Sequence, residues 1–249
     1  MPDQDKVFAG SIPKFYDSYM VPLIFAGYAE DMAQRVAALA PAAVLETAAG
    51  SGVVTRALAP RLAPDARYVV TDLNQPMLDH AAQQQGADAR ITWQQADALA
   101  MPFDDAAFDV VCCQFGAMFF PDHVAGYREA RRVLKPGGSF VFNVWDRIED
   151  NVFADDVTNA LAEMFPADPP RFMARTPHGY HDAAMIRAEL EKAGFSDITI
   201  ETRSDQSCAP SPHRVALAYC QGTPLRNEIE ARGADQLEAA TEYTAAALA

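Results

Sequence analysis

Basic side chains are scarce in this chain: 20 Lys and Arg face 34 Asp and Glu, a formal net charge of −14 at pH 7. A nucleic-acid backbone is held by clustered Lys and Arg that displace counterions, so this balance speaks against DNA or RNA as a partner. It speaks equally against an anionic membrane surface. Long apolar runs are missing too. The densest, Val110 to Pro121, is broken by Gln114 and falls far short of a membrane span. The first residues, Met-Pro-Asp-Gln-Asp, offer neither a basic nor an apolar stretch, so no secretory signal is expected. Cysteine is confined to positions 112, 113, 208 and 220, with no Cys-x-x-Cys and no His/Cys cluster at metal spacing, so no metal is expected. Adjacent strand residues point to opposite faces, which keeps Cys112 and Cys113 from bridging each other easily. Four reduced, mostly buried thiols in a cytoplasmic protein are the expectation. Internal repeats and low-complexity blocks are lacking as well.

What remains is an ordinary globular composition. With half of its 249 residues hydrophobic and 22% charged, the chain suits one large α/β domain with a modest cap rather than two equal domains. From Ala29 onward helical and strand patterns alternate. Ala29–Leu39 has helical spacing and stops before Pro41. Ala43–Thr47 reads as a strand, Ala48–Gly52 as a small-residue turn, and Val53 to about Leu62 as a helix. Tyr68–Thr71 is a second strand ending at Asp72, after which Asn74 is placed to cap a helix with Pro76 in its first turn. Ile91–Gln94 and Phe108–Gln114 are further strands, followed by a helix from His123 to Leu134, a tight turn at Pro136-Gly137-Gly138, and a fifth strand, Ser139–Trp145. Continuously apolar strands joined by short turns predict a doubly wound, mainly parallel sheet, a Rossmann-like α/β fold. Beyond Trp145 the pattern predicts a helix over 149–165, a Pro-rich connection to Pro177, a helix over Asp182–Ala193 closed by Gly194, and a sixth strand, Ile198–Thr202. Helical patterns then run over 213–221, from Thr223-Pro224 toward Gly233, and through an Ala-rich tail. The chain is therefore read as a single domain, 1–249. Within it lie an N-terminal lid (1–28), a core (29–145), an inserted helical cap (146–190) and a C-terminal strand with helices (191–249).

Ligands of such sheets bind beyond the carboxyl ends of the strands, where strand order reverses. Glu46-Thr47-Ala48-Ala49-Gly50-Ser51-Gly52 occupies that place after the first strand. Glycine there lets backbone approach a ligand closely. A dinucleotide fingerprint would want a third glycine at position 55, which is Thr55 here, and does not ask for the acid Glu46 ahead of the loop. Asp72, twenty residues beyond Gly52, either accepts both hydroxyls of a ribose or caps the next helix. Asp97 in Ala96-Asp97-Ala98 either reads an adenine amine or is a solvated turn residue.

Taken together, Glu46-x-x-x-Gly50-x-Gly52, Asp72-Leu73-Asn74, Ala96-Asp97-Ala98, Phe108-Asp109-Val110-Val111 and Leu134-Lys135-Pro136-Gly137-Gly138 resemble the ordered motifs of class I S-adenosylmethionine-dependent methyltransferases. The set is most similar to the branch that includes ubiquinone/menaquinone-type C-methyltransferases and many small-molecule enzymes. The resemblance covers residues 43–145, and Phe15-Tyr16-Asp17-x-Tyr19 resembles that branch's lid. It implies S-adenosylmethionine as cofactor. Gly50 and Gly52 would lie against its methionine part, Glu46 near its ammonium and Asp72 on its ribose. Leu73 and Met77 would flank the adenine, Asp97 and Ala98 would read its edge, and Gln114 (through its backbone) and Phe115 would line the methionine side. Two departures stand out. Ala48 replaces the first glycine of the usual E-x-G-x-G-x-G, which narrows the loop. The family's antiparallel seventh strand is not seen, so either one sheet edge is finished differently or the natural chain runs further.

Methyl transfer from a sulfonium asks mainly for alignment and dry surroundings, with a base in some cases. His123, His178, Tyr180 and His181 are the candidates for a base, and none is assigned a catalytic role. Phe8, Phe15, Tyr16, Tyr19, Phe25 and Tyr28, with Phe119 and Phe120, either roof an apolar acceptor pocket or pack the N-terminal segment. Tyr19, Phe119 and His123 are the candidate acceptor-binding residues. The expected activity is transfer of a methyl group to the carbon or oxygen of a small molecule. The alternatives are a dinucleotide-dependent oxidoreductase and a non-catalytic S-adenosylmethionine-binding protein.

Overall fold

A computed structural model describes residue 5, residues 12–233 and residues 235–249. Phe8 lies outside the described residues. Five strands form the sheet: β1 (Ala43–Glu46), β2 (Arg67–Asp72), β3 (Ile91–Gln95), β4 (Phe108–Gln114) and β5 (Leu134–Asn143). They are all parallel, in the order β3-β2-β1-β4-β5. The helices are α1 (Ile12–Phe15), α2 (Ala26–Ala38), α3 (Val53–Leu58), α4 (Gln75–Gln85), α5 (His123–Val133), α6 (Val152–Met164), α7 (Phe172–Arg175), α8 (Ala183–Ala193), α9 (Pro212–Gly222), α10 (Leu225–Ala231) and α11 (Gln236–Ala247), with a π-helical segment over Tyr16–Phe25.

The chain divides into two compact units. One comprises 26–144 and 182–204 and holds the sheet; the other gathers 1–25, 145–181 and 205–249.

The sheet unit is built by alternation. Val44, Tyr68, Val70, Val110 and Cys112 turn to one face, packing with Met32, Val36, Leu58 and Leu78. Ala43, Leu45, Val69 and Val111 turn to the other, packing with Ala130, Val133 and Leu134. Both faces are covered, which is why these strands read as unbroken apolar runs. Cys112 and Cys113 are both buried unpaired thiols, as is Cys220, whereas Cys208 is exposed.

Four local expectations are corrected. Pro136-Gly137-Gly138 does not separate helix from strand: it lies inside β5 as an irregularity, with Phe108 pairing Leu134 and Val110 pairing Ser139. Gly137 takes φ +80° there. The irregularity is tied down by Asp109, whose carboxylate meets Lys135 Nζ at 2.8 Å and accepts the Ala42 and Ala43 N–H groups at 3.0 and 2.8 Å. Lys135 holds that carboxyl below its usual range. Ile198–Thr202 forms no strand, and Ile200 is left exposed. Asn74 begins α4 without a side-chain cap; its backbone N–H donates instead to Asp72 Oδ1 at 2.7 Å. The Pro-rich connection contains the short helix α7. Other punctuation falls as read: Asp182 caps α8 by accepting from Ala184 and Met185 N–H, and Gly194 closes it at φ +95°.

In the other unit, Asp5 is buried and accepts a two-pronged contact from Arg175 and a hydrogen bond from Thr176 Oγ1 at 2.5 Å. Arg175 also meets Glu228, whose other oxygen accepts the Arg171 and Phe172 N–H groups that open α7. These partners are far apart in sequence, so no local pattern announces them.

Candidate functional site

Strand order reverses between β1 and β4, so the loops that follow these strands flank the crevice where an open α/β sheet takes its ligand. The loop after β1 is stitched to both neighbours. Thr47 N–H donates to Cys112 O of β4 at 2.9 Å, Ala49 N–H to Thr71 O of β2 at 3.0 Å, and Gly50 N–H to Asp72 Oδ2 at 2.8 Å. Its path needs three left-handed residues, Ala48 (φ +51°), Gly50 (+57°) and Gly52 (+78°). A side chain at Gly52 would also fail sterically, its Cβ falling 2.9 Å from Ala81 Cβ of α4.

Ala48 is the exception, because L-residues other than glycine are disfavoured in this conformation. Its methyl group has a counterpart across the crevice. A Cβ at Gly116, in the loop after β4, would land on the Ala48 methyl and 2.8 Å from Cys113 Sγ. The extra methyl on one loop is therefore matched by a missing one on the other. Gly116→Ala should destabilise the fold by about 2–3 kcal/mol through overpacking. Ala48→Gly should stabilise by up to about 1 kcal/mol by relieving the left-handed strain. Combining them should recover part of the Gly116→Ala loss. Urea midpoints read all three, and a Gly116→Ala protein as stable as the parent would refute this account of the packing.

Glu46, at the tip of β1, is 2% exposed. Its Oε2 accepts from Thr55 Oγ1 at 2.7 Å and from the Tyr68 hydroxyl. Burial drives its pKa up to about 7, against the pull of these two hydrogen bonds and of Arg56. Thr55 stands where a dinucleotide fold wants its third glycine, and its hydroxyl is committed to Glu46 inside α3. Asp72 is likewise buried, with Oδ2 on Gly50 N–H and Oδ1 on Asn74 N–H. Burial raises its pKa, and the Asn74 and Gly50 hydrogen bonds oppose the rise.

Around this centre the remaining expected residues are distributed unevenly. Met77 is buried, its Cε 3.6 Å from where a Gly50 Cβ would stand, while Leu73 is 45% exposed and its carbonyl accepts from Gln95 Nε2. Asp97 is exposed and accepts from Leu99 N–H at 2.9 Å, the geometry of a turn residue. Ala98 packs against the sheet's second core cluster. Gln114 ends β4, and its side-chain Oε1 is buried with no hydrogen-bond partner. Phe115 is held at φ +48°, its N–H shared by Asn143 Oδ1 (2.9 Å) and Asn143 O (3.2 Å), its ring edge-on to Tyr28 at 5.4 Å. Asn143 was missed by the sequence reading; the signal was there, a lone amide inside the apolar run Phe140–Trp145.

The acceptor candidates are divided between the two units. Tyr19 belongs to the other unit, where its ring stacks on Phe15 (5.5 Å) and lies 4.5 Å from the Arg214 guanidinium carbon. Phe119 ends a short turn after β4 and is half-buried. His123 opens α5 and reaches Glu189 of α8 at 3.4 Å, burial holding its pKa below the ordinary value. His178 is buried, its Nδ1 2.9 Å from Asp146 O, and burial lowers its pKa too; His181 Nδ1 lies 2.9 Å from His178 O. Tyr180 is buried in the same unit. Among the described residues, no group of three or more His, Cys, Asp or Glu could hold a metal ion, and no helix is long and apolar enough to cross a membrane.

Residues 45–142 match a family described as a methyltransferase domain. A demethylmenaquinone methyltransferase of Mycolicibacterium vanbaalenii is 34% identical over 164 residues, covering 62% of this chain and 68% of that one. The chain belongs to the class I S-adenosylmethionine-dependent methyltransferases. It is an enzyme of that family, and S-adenosylmethionine is its methyl donor. A demethylmenaquinone methyltransferase of Deinococcus radiodurans is 40% identical over 116 residues, 46% of this chain and 48% of that relative, so the match spans about half the relative's length. Among solved structures, the S-adenosylmethionine-dependent methyltransferase of Thermotoga maritima superposes with a TM-score of 0.53 at 17% identity, covering 75% of this chain and 80% of that one. The [4+2]-cyclase SpnF superposes with a TM-score of 0.57 at 18% identity, covering 90% and 74%. At these identities the likeness is one of fold alone, and the fold houses more than one chemistry. The dinucleotide alternative is overturned by the family, consistent with Thr55 filling its third glycine position.

Proposed function

We propose that this methyltransferase acts on a small, partly apolar organic acceptor at carbon or oxygen, with the donor held over the loop after β1. The supporting observation is the hydrogen bond of Gly50 N–H to the buried Asp72 carboxylate, which joins the glycine loop to the tip of β2 at the place where an adenosyl ribose would sit. The residues suit the donor. Asp72 accepts Gly50 N–H on Oδ2 and both Asn74 N–H and, at 3.4 Å, Asn74 Nδ2 on Oδ1, which leaves acceptor capacity on Oδ2 for a ribose hydroxyl, and Met77 offers a buried apolar side chain beside Gly50. Gly50 and Gly52 keep side chains off the loop, Leu73 and Asp97 border the adenine side, and Gln114 and Phe115 border the methionine side. The donor supplies a methyl group already activated by its sulfonium. The protein's share is to bind, align and keep water out. Phe119 and His123, both in the sheet unit, are proposed to contact the acceptor, and no base is assigned.

The net charge of −14 favours a small organic acceptor over a nucleic acid, and four unpaired thiols favour the cytoplasm. The names of the relatives make a demethylated quinol the first acceptor to try. In a thermal-shift titration, S-adenosylmethionine and S-adenosylhomocysteine should each raise the melting temperature, by the equivalent of about 2.7 kcal/mol at a hundredfold excess over Kd, while NAD should not. A shift with NAD alone would overturn the reading of the site. Label transferred from methyl-labelled donor to a demethylated quinol would fix the acceptor class; label appearing only on nucleic acid would refute it.

A further inference from the structure

The unit made of 1–25, 145–181 and 205–249 holds an imidazole whose hydrogen bonding is half complete. His178 follows α7 in a tight turn. Its own N–H donates to Met173 O at 3.0 Å, and a Cβ on the next residue, Gly179, would fall 2.1 Å from Arg175 O. The ring is fixed as well. His178 Nδ1 lies 2.9 Å from the Asp146 carbonyl oxygen, which also accepts from Asn151 Nδ2 at 3.2 Å. A carbonyl oxygen cannot donate, so Nδ1 carries the hydrogen and Nε2 of the neutral ring carries a bare lone pair. Burial, which holds the pKa of this residue below its ordinary value, favours that neutral ring.

His178 is 5% exposed. Among the described residues Nε2 meets no donor, yet it is not sealed in the interior as the Ser51 and Gln114 side-chain oxygens are. Its lone pair therefore reaches open space, and a nearly buried acceptor without a donor calls for one from outside the chain. An aromatic wall runs up to it. Half-buried Trp145 has its ring 6.0 Å from that of His178, Phe25 lies 5.8 Å from Trp145, and Tyr16 is stacked on Phe25 at 5.0 Å.

We propose that His178 Nε2 and the Trp145 ring form a binding site for a neutral aromatic compound that carries a hydroxyl group. Two arguments select this class. A bare lone pair needs an O–H or N–H, so ethers, ketones and carboxylates are refused. A phenol, which like tyrosine loses its proton near pH 10, is a better donor than an amide or an indole N–H. A flat apolar body, in turn, gains most from stacking on Trp145 and its aromatic neighbours. The site lies wholly within this unit and stands apart from the donor site, so it holds whichever molecule is methylated.

Equilibrium dialysis of the whole protein against 2-naphthol and against 2-methoxynaphthalene, which has the same rings and no donor, tests the site. The parent should bind the naphthol about tenfold more tightly than the ether, because the ether leaves Nε2 unmet. In His178→Asn the amide N–H can replace Nδ1–H toward Asp146 O, but no acceptor stands where Nε2 stood. There the preference should fall to within twofold. Trp145→Leu should weaken both ligands alike, by about fivefold. A parent that binds the two equally, or neither, would overturn the site, and so would a preference that survives in His178→Asn. Should His178→Asn fail to fold, nitrogen NMR of the parent's imidazoles decides. 2-Naphthol should move the His178 Nε2 resonance and leave Nδ1 protonated; an unmoved resonance refutes the contact.

Discussion

Between pH 5 and pH 8, the stability of Glu46→Gln relative to the parent is expected to rise by about 2–3 kcal/mol. The cause is the burial of the Glu46 carboxyl, which lifts its pKa from an ordinary 4.5 to about 7. A raised carboxyl pKa means that the folded protein binds the proton more tightly than the unfolded chain does. Below pH 4.5 both states are protonated and the group adds no pH dependence. Between pH 4.5 and 7 the unfolded chain releases its proton while the folded one keeps it, so stability falls as pH rises. Above pH 7 the folded state carries the buried charge and the full loss is present. Glutamine has no such titration, and its amide oxygen can still accept from Thr55 and Tyr68, which both donate to one carboxylate oxygen in the parent. Urea denaturation of the two proteins at pH 5 and 8 isolates the effect, because every other titrating group cancels in the difference. A difference that stays constant over this range would show that Glu46 is not titrating in the folded protein.

The same residue shows what could and could not be read from sequence. Glu46 was visible as an acid at a strand tip ahead of a glycine turn, and β1, β2 and β4 were visible as apolar runs covered on both faces. Its partners were not visible. Tyr68 lies 22 residues away on the neighbouring strand, and only the parallel register of β1 with β2 brings it alongside. Thr55 appeared only as an objection to a dinucleotide loop, whereas in the fold it is the hydrogen-bond donor that holds Glu46. Ile198–Thr202 erred in the opposite direction. Its alternation of Ile and Thr suits a strand, yet strand propensity is realised only where a neighbour supplies hydrogen bonds and packing. β5, by contrast, absorbed the Pro-Gly-Gly turn, because Asp109 and Lys135 hold the irregular stretch against β4. Local pattern predicts such elements until a long-range contact overrides it. The pairing of Ala48 with Gly116 is such a contact, invisible until the two loops are seen side by side.

Asp72→Ala should both loosen the fold and weaken the donor, and the two losses can be measured apart. The carboxylate accepts Gly50 N–H on one oxygen and Asn74 N–H on the other. Removing it leaves two part-buried backbone donors unmet, which costs about 2–5 kcal/mol. For a chain of this size that lowers the melting temperature by roughly 5–15 °C without ligand. Loss of the acceptor for the ribose hydroxyls removes a further hydrogen bond to a charged group, about 1.5–3 kcal/mol, or roughly ten- to 150-fold in affinity for S-adenosylhomocysteine. Calorimetry at a temperature well below both melting points separates this from the folding loss. Asp72→Asn keeps one acceptor oxygen for the loop, so it should melt between the parent and Asp72→Ala. A melting temperature that falls while donor affinity stays at the parent's value would make Asp72 a pin for the loop alone, with the ribose held elsewhere. An unchanged melting temperature would instead mean that the glycine loop keeps its shape without the carboxylate, and the tie between β2 and that loop would no longer explain the site.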